Sequence, residues 1–219
     1  MDVTTRPVVT YRWIVFLLAL GYAIYHTATG DYSNFGGPFR FLTFWGLYLS
    51  VFSAWFMLAI STSRAEGGYQ VLAMCTAVVN TMVLFLYWKL YFEDPNLVNA
   101  NGPGAWWNEY YLHGAGPILQ IIDALFIAQA FHRPWRAALP LVGIIAAFVL
   151  WGELVLQPLS DFPSGSVTSG LPYPFLNNMD LAGRATFYVQ NAVIALILLS
   201  FFAALGWVIR RSRRLPEAL

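Results

Sequence analysis

The sequence predicts an all-α fold: one integral membrane domain over residues 1–219, built as a bundle of six transmembrane helices with both termini cytoplasmic. Three observations predict it. Only 11% of the 219 residues are charged, where a soluble domain carries about 25%. Hydrophobic residues make up 58% of the chain and fall in blocks of about 20, the length a bilayer crossing needs. The strongest helix breakers lie between those blocks.

Taken in order, the first block, Tyr11–Ala28, follows a short N-terminus with Arg6 and Arg12 as a positive flank. That flank has the look of a signal peptide, but no small-x-small cleavage site precedes a soluble domain, so the block reads as a retained signal-anchor. Gly36-Gly37-Pro38 opens the second span, Arg40–Thr62, and Glu66-Gly67-Gly68 separates it from the third, Gln70–Phe92. Pro95 and Gly102-Pro103-Gly104 precede the fourth, Leu112–Phe131. Pro134 precedes the fifth, Ala138–Gln157, and the Gly-, Ser- and Pro-rich stretch from Pro158 to Pro174 leads to the sixth, Ala182–Ile209. No internal repeat suggests an inverted-repeat transporter.

Orientation follows from basic residues, which concentrate in short cytoplasmic loops. Six spans put Arg6, Arg12, Arg64, Arg133, Arg136, Arg210, Arg211, Arg213 and Arg214 on the side of the termini, against Arg40, Lys89 and Arg184 on the other. The outer loop Glu93–Tyr111 carries Trp106, Trp107, Tyr110 and Tyr111, which read as an interfacial aromatic belt. The membrane would be a plasma (inner) membrane or the endoplasmic reticulum.

Several function classes are excluded. A net charge of +1 without a basic, aromatic-interleaved surface gives no reason to expect nucleic acid. The lone Cys75 cannot form an intramolecular disulfide and reads as a small buried hydrophobe. No nucleotide loop, metal-ligand spacing or redox motif is present, so no cofactor and no metal are expected. A haem held between His26 and His113 is a remote alternative.

Polar side chains at membrane depth need a partner or a purpose. Here they are Thr43, Ser50, Ser53, Asn80, His113, Gln120, Asp123, Glu153, Gln190 and Asn191. With a rise of about 1.5 Å per residue, Thr43, His113 and Glu153 fall within about a turn of the outer end of their spans. Asp123, Asn80 and Asn191 lie deeper, in the outer half or near the midplane. One polar cavity open to the outer side is therefore expected. Thr43, Gly46, Ser50 and Ser53 share one helical stripe, and His113, Gly116, Pro117, Gln120 and Asp123 share another. Pro117 removes a backbone hydrogen bond and should bend the fourth helix beneath His113.

A threonine hydroxyl becomes a nucleophile when a base takes its proton, and histidine is the commonest base. Asp123 is about 15 Å along the helix from His113, too far to orient it, so Glu153 is the expected orienting carboxylate. Gln190 and Asn191 are candidate oxyanion donors. Each also has an ordinary structural reading: threonine hydroxyls in helices bond their own backbone, and buried carboxyls can simply hold helices together.

The run Phe35-Gly-Gly-Pro-Phe-Arg-Phe-Leu-Thr-Phe-Trp45 resembles the signature of the androgen-induced gene 1 / FAR-17a family. His113 before Pro117 and Asp123 is similar to that family's fourth span, and Tyr173-Pro-Phe-Leu176 to its element before the last span. Related bacterial six-span proteins of the Pr6Pr type share parts of the pattern. The fifth span departs from the family, reading Leu150-Trp-Gly-Glu-Leu-Val-Leu-Gln157 in place of a tryptophan- and histidine-rich stretch. The resemblance implies a multi-pass threonine hydrolase of fatty acid esters of hydroxy fatty acids, with Thr43 as nucleophile and His113 as base. An intramembrane lipid esterase is therefore the expected function, with membrane lipids or lipid-like molecules as partners. The alternatives are a non-catalytic carrier or sensor of a lipid or small amphiphile, and a structural membrane subunit.

Overall fold

The structure is a computed structural model that describes residues 2–65, 68–98 and 104–214. The expected breakers Glu66-Gly67 and Gly102-Pro103 lie outside the described residues. Among the described residues the chain is helical, with no strand and one isolated bridge, Ser164 to Ser169.

Among the described residues five helices are long and apolar enough to cross a membrane. They are α1 (Arg6–Thr29), α2 (Leu42–Ser61), α3 (Gln70–Glu93), α5 (Trp135–Leu159) and α6 (Leu181–Arg214). Between α3 and α5 lies α4 (residues 106–127), a helix interrupted by two π-turns, Tyr111–Ala115 and Asp123–Ile127. The kink expected at Pro117 is present, but one turn earlier. His113 itself leaves helical geometry (φ −113°, ψ 19°), and Pro117 sits just inside the helix that restarts at Gly116, where its missing N–H costs nothing.

α3 is the central pillar. In its most apolar stretch 61% of residues are buried, against 17% for α5 and 22% for α6. Its inner face packs with the second half of α4, with α5 and with α6 through Met74, Val78, Leu125, Phe131, Leu141 and Leu199. The outer faces of α5 and α6 expose Leu139, Leu150, Leu154, Val189, Ile197 and Phe201. An apolar exterior this extensive suits a hydrocarbon surrounding rather than water.

Two boundary shifts matter for function. α1 begins at Arg6, with Pro7 in its first turn, so Arg12 lies inside the helix instead of on its flank. Its side chain is 1% exposed and pairs with Asp123: Nε donates to Oδ2 and Nη2 to Oδ1, both at 2.8 Å. Nη1 donates to the Met57 carbonyl and to Ser61 Oγ, again at 2.8 Å. Asp123 thus belongs to an ion pair toward the N-terminal end of α1, and not to an outer polar cavity. The second shift is at α4, which begins at Trp106, six residues before the expected start. Helix over this stretch brings Glu109 one turn before His113.

Candidate functional site

The stretch around Thr43 is shaped by backbone constraints. Gly36 adopts the left-handed region (φ +83°), and a Cβ there would meet Leu156 Cδ2 at 2.6 Å. A 3-10 turn, Gly37–Arg40, follows, with Pro38 in its first positions. The Phe39 carbonyl accepts from the indole N–H groups of both Trp45 and Trp151, each at 3.1 Å, tying the turn to α5. The Leu42 N–H, one of the unpaired donors at the start of α2, is accepted by the Tyr173 hydroxyl at 3.1 Å. Burial pushes the Tyr173 phenol up to about 12, so it stays protonated.

Thr43 is therefore fixed in the first turn of α2. Thr27, Thr29, Thr81 and Thr186, by contrast, each bond the carbonyl four residues back in their own helix. The residue four before Thr43 is Phe39, outside α2, with two indoles on its carbonyl. The Thr43 hydroxyl turns instead to His113, with Oγ1 3.2 Å from Nε2.

His113 is held on all sides and is 6% exposed. Its ring lies flat on Tyr87, centroids 3.5 Å apart and planes within 2°. Its carbonyl, released by the π-turn, accepts from the Trp88 indole at 2.6 Å. Its second ring nitrogen, Nδ1, lies 3.1 Å from Glu109 Oε2, one turn back in α4. That pair is close enough for an ion pair but off the line of a well-formed hydrogen bond, and both atoms are otherwise buried without a partner. Such contacts are commonly loose before substrate binds. Glu109 also receives a hydrogen bond from Tyr87. The arrangement Thr43–His113–Glu109 has the connectivity of a nucleophile, a base and an orienting carboxylate.

The orienter expected from sequence, Glu153, stands elsewhere. Its oxygens accept from Arg184 Nε at 2.8 Å, Arg184 Nη2 at 3.2 Å and the Tyr188 hydroxyl at 2.7 Å. The π-turn Gly152–Leu156 in α5 aims it at α6, where a buried arginine claims it. Glu109 falls in a stretch whose aromatic residues read as an interfacial loop, although its four-residue spacing from His113 is the ordinary helical contact distance.

The remaining expected residues separate into two groups. Asn80 Nδ2 donates to Ser50 Oγ at 2.8 Å and Gln120 Nε2 to the Ser50 carbonyl at 3.3 Å. They pin α3 and α4 to the small-residue stripe of α2, beneath Thr43. Gln190 is exposed on the outside of α6, turned away from the site. Asn191 lines the cavity, where one N–H of its Nδ2 donates to the Phe187 carbonyl at 2.9 Å and its Oδ1 is buried without a partner. His26 Nε2 lies 2.6 Å from Asn108 Oδ1. Among the described residues no group of three or more His, Cys, Asp or Glu side chains could hold a metal ion.

Thr43 and His113 open onto a cavity of ≈ 490 Å³ between α2, α3, α4, α5 and α6, within the range of small-molecule sites. Its walls are largely apolar, with Val83, Leu86, Ile144 and Phe148 among them, and Arg40 and Tyr173 also line it. A much smaller void of ≈ 10 Å³ lies beneath Thr43, bounded by Ser50, Asn80 and Pro117.

Comparison with known proteins finds two kinds of similarity. Phosphoglycerol transferase I of Citrobacter koseri is 28% identical over 100 residues, which is 43% of this chain and 13% of that protein. The proteins of the same name from Salmonella heidelberg and Salmonella typhimurium are 31% identical over 99 residues, with the same coverage. The chain thus spans a small fraction of those relatives' length. No solved structure matches. The family model for FAR-17a/AIG1-like protein, in contrast, matches residues 7–206. The chain belongs to the FAR-17a/AIG1-like protein family.

Proposed function

We propose that this protein is an intramembrane lipid esterase that hydrolyses fatty acyl esters, with Thr43 as nucleophile and His113 as base. The observation that carries the reading is the Thr43 Oγ1 to His113 Nε2 contact of 3.2 Å, made at the wall of a ≈ 490 Å³ apolar cavity. Glu109 replaces Glu153 as the orienting carboxylate. With a proton on Nδ1 facing Glu109, Nε2 is left as the acceptor for the threonine proton.

The chemistry is two acyl transfers. Oγ1 attacks the ester carbonyl as Nε2 takes its proton; collapse of the tetrahedral intermediate expels the alcohol, which leaves with that proton. Water, activated by the same imidazole, then cleaves the acyl-threonine and restores the hydroxyl. The N-terminal end of α2 directs its positive dipole at the carbonyl oxygen, where negative charge develops. Acyl chains would occupy the cavity among Val83, Leu86 and Phe148. The curated relatives carry the name of a phosphoglycerol transferase, but over so short a match they support membrane-lipid chemistry only broadly, and the reaction class rests on the site.

The membrane arrangement is part of the proposal. Residues 106–127 supply a sixth crossing despite their π-turns, in one domain, and both termini face the cytoplasm. Substrate then enters from the outer leaflet side.

Purified protein given a fluorogenic fatty acyl ester should turn it over; Thr43→Ala and His113→Ala should each abolish turnover, and Thr43→Ser should retain part of it. Wild-type rates in both alanine variants would refute the assignment. A carrier with the same cavity would bind the ester and leave it intact.

A further inference from the structure

We propose that Arg40 is an anion-binding site in the lining of this cavity, so that the ligand is an anionic amphiphile whose carboxylate or phosphate sits on the guanidinium. The inference builds on the proposed function by naming the substrate's headgroup, but its argument stands on Arg40 alone.

Among the described residues three arginines are strongly buried: Arg12 at 1%, Arg40 at 4% and Arg184 at 6% exposure. Two of them have a carboxylate on two guanidinium nitrogens, Arg12 with Asp123 and Arg184 with Glu153. Arg40 has none among the described residues. Its Nη2 donates to the carbonyls of Phe162 and, at 3.0 Å, Gly170, and its Nε is buried without a partner. Asp31, also on the cavity wall, is close enough to feel the charge but forms no ion pair with it; its Oδ1 accepts from the Ser33 N–H at 2.8 Å.

Carbonyls orient a guanidinium but do not neutralise it, and a buried cation without a counter-charge is costly. The loop that grips Arg40 is nonetheless tightly built. Gly170 sits at φ +91°, where a Cβ would lie 2.1 Å from the Ser160 carbonyl oxygen. Asn177, fully buried, bonds the backbone of Pro163 and Leu171 across the same loop. Two nitrogens of a guanidinium fork match the two oxygens of a carboxylate or phosphate, and Arg40, with its Nε unpartnered, lines a largely apolar cavity without such a group. Arg40 is three residues before Thr43, so their Cα atoms are at most about 11 Å apart. A headgroup on Arg40 would therefore hold the rest of the molecule beside the hydroxyl.

The test uses probes without an ester, so that binding is read independently of hydrolysis. Wild-type protein in a neutral detergent is titrated with hexadecanoate, hexadecyl phosphate and hexadecanol. At least one anionic probe should bind about tenfold or more tightly than the alcohol, as one charge-assisted hydrogen bond supplies. The arm that binds better identifies the headgroup as carboxylate or phosphate. Arg40→Gln should remove the preference, and Arg40→Lys should keep part of it. Equal affinity for all three probes in the wild-type protein, or a preference that survives Arg40→Gln, would overturn the proposal. Loss of turnover in Thr43→Ala bears on the esterase alone.

Discussion

Removing the Asp123 carboxylate is expected to damage the fold and leave the chemistry of the surviving molecules intact. Asp123 accepts two hydrogen bonds at 2.8 Å from an arginine that is 1% exposed. In Asp123→Ala the Arg12 guanidinium keeps only the Met57 carbonyl and Ser61 Oγ, a cation left in the interior without its counter-charge. Breaking a buried pair from one side costs about 3–5 kcal/mol. Replacing both partners by apolar residues of similar volume, Arg12→Met with Asp123→Leu, removes the charge as well and should cost far less, within about 1–2 kcal/mol of wild type. The assay is unfolding in detergent for the wild type, both single variants and the double variant, with ester turnover per folded molecule measured beside it. A loss below about 1 kcal/mol in Asp123→Ala would refute the account of the pair as a structural clamp, given the magnitude expected of buried pairs. So would turnover per folded molecule falling as far as in Thr43→Ala.

Other outcomes follow from the same contacts. Glu109→Gln should lower kcat by as much as about 10⁴-fold with little change in KM, as loss of an orienting carboxylate does elsewhere, whereas Glu153→Gln should leave kcat per folded molecule unchanged; steady-state kinetics on both variants checks this. Tyr173→Phe removes the acceptor for the Leu42 N–H and should cost about 1 kcal/mol of stability, read by thermal unfolding. Asn177→Ala leaves the Leu171 N–H and carbonyl unpaired, while the Pro163 carbonyl keeps its bond from the Gly170 N–H, and should destabilise by about 2–3 kcal/mol while speeding hydrogen exchange at the Leu171 amide.

The pairing of Thr43 with His113 was legible because depth and helix face are both local quantities. Counting residues from two breakers, Gly36-Gly37-Pro38 and Gly102-Pro103-Gly104, placed both side chains near one face, and the small-residue stripes allowed their helices to meet. Partners that depend on distant packing were not legible. Arg12 and Asp123 are 111 residues apart, and a basic residue near the start of an apolar block is usually a flank rather than a core ion. Glu153 is turned toward Arg184 by a π-turn, and nothing in residue spacing announces a π-turn. Glu109 was within reach of sequence reasoning, four residues before His113, once Trp106 to Tyr111 is allowed to be helical. The turn containing Tyr173 was visible as a motif, but its role, accepting the N–H that opens α2, needed the fold.

The central claim is that the Thr43 oxygen forms a covalent bond during turnover. The most direct measurement is mass spectrometry of the protein after reaction with a fluorophosphonate probe or a slowly hydrolysed acyl ester. The account predicts one adduct, on the peptide carrying Thr43, and none in His113→Ala. An adduct on a different residue, or ester hydrolysis that proceeds with Thr43 unmodified, would contradict it.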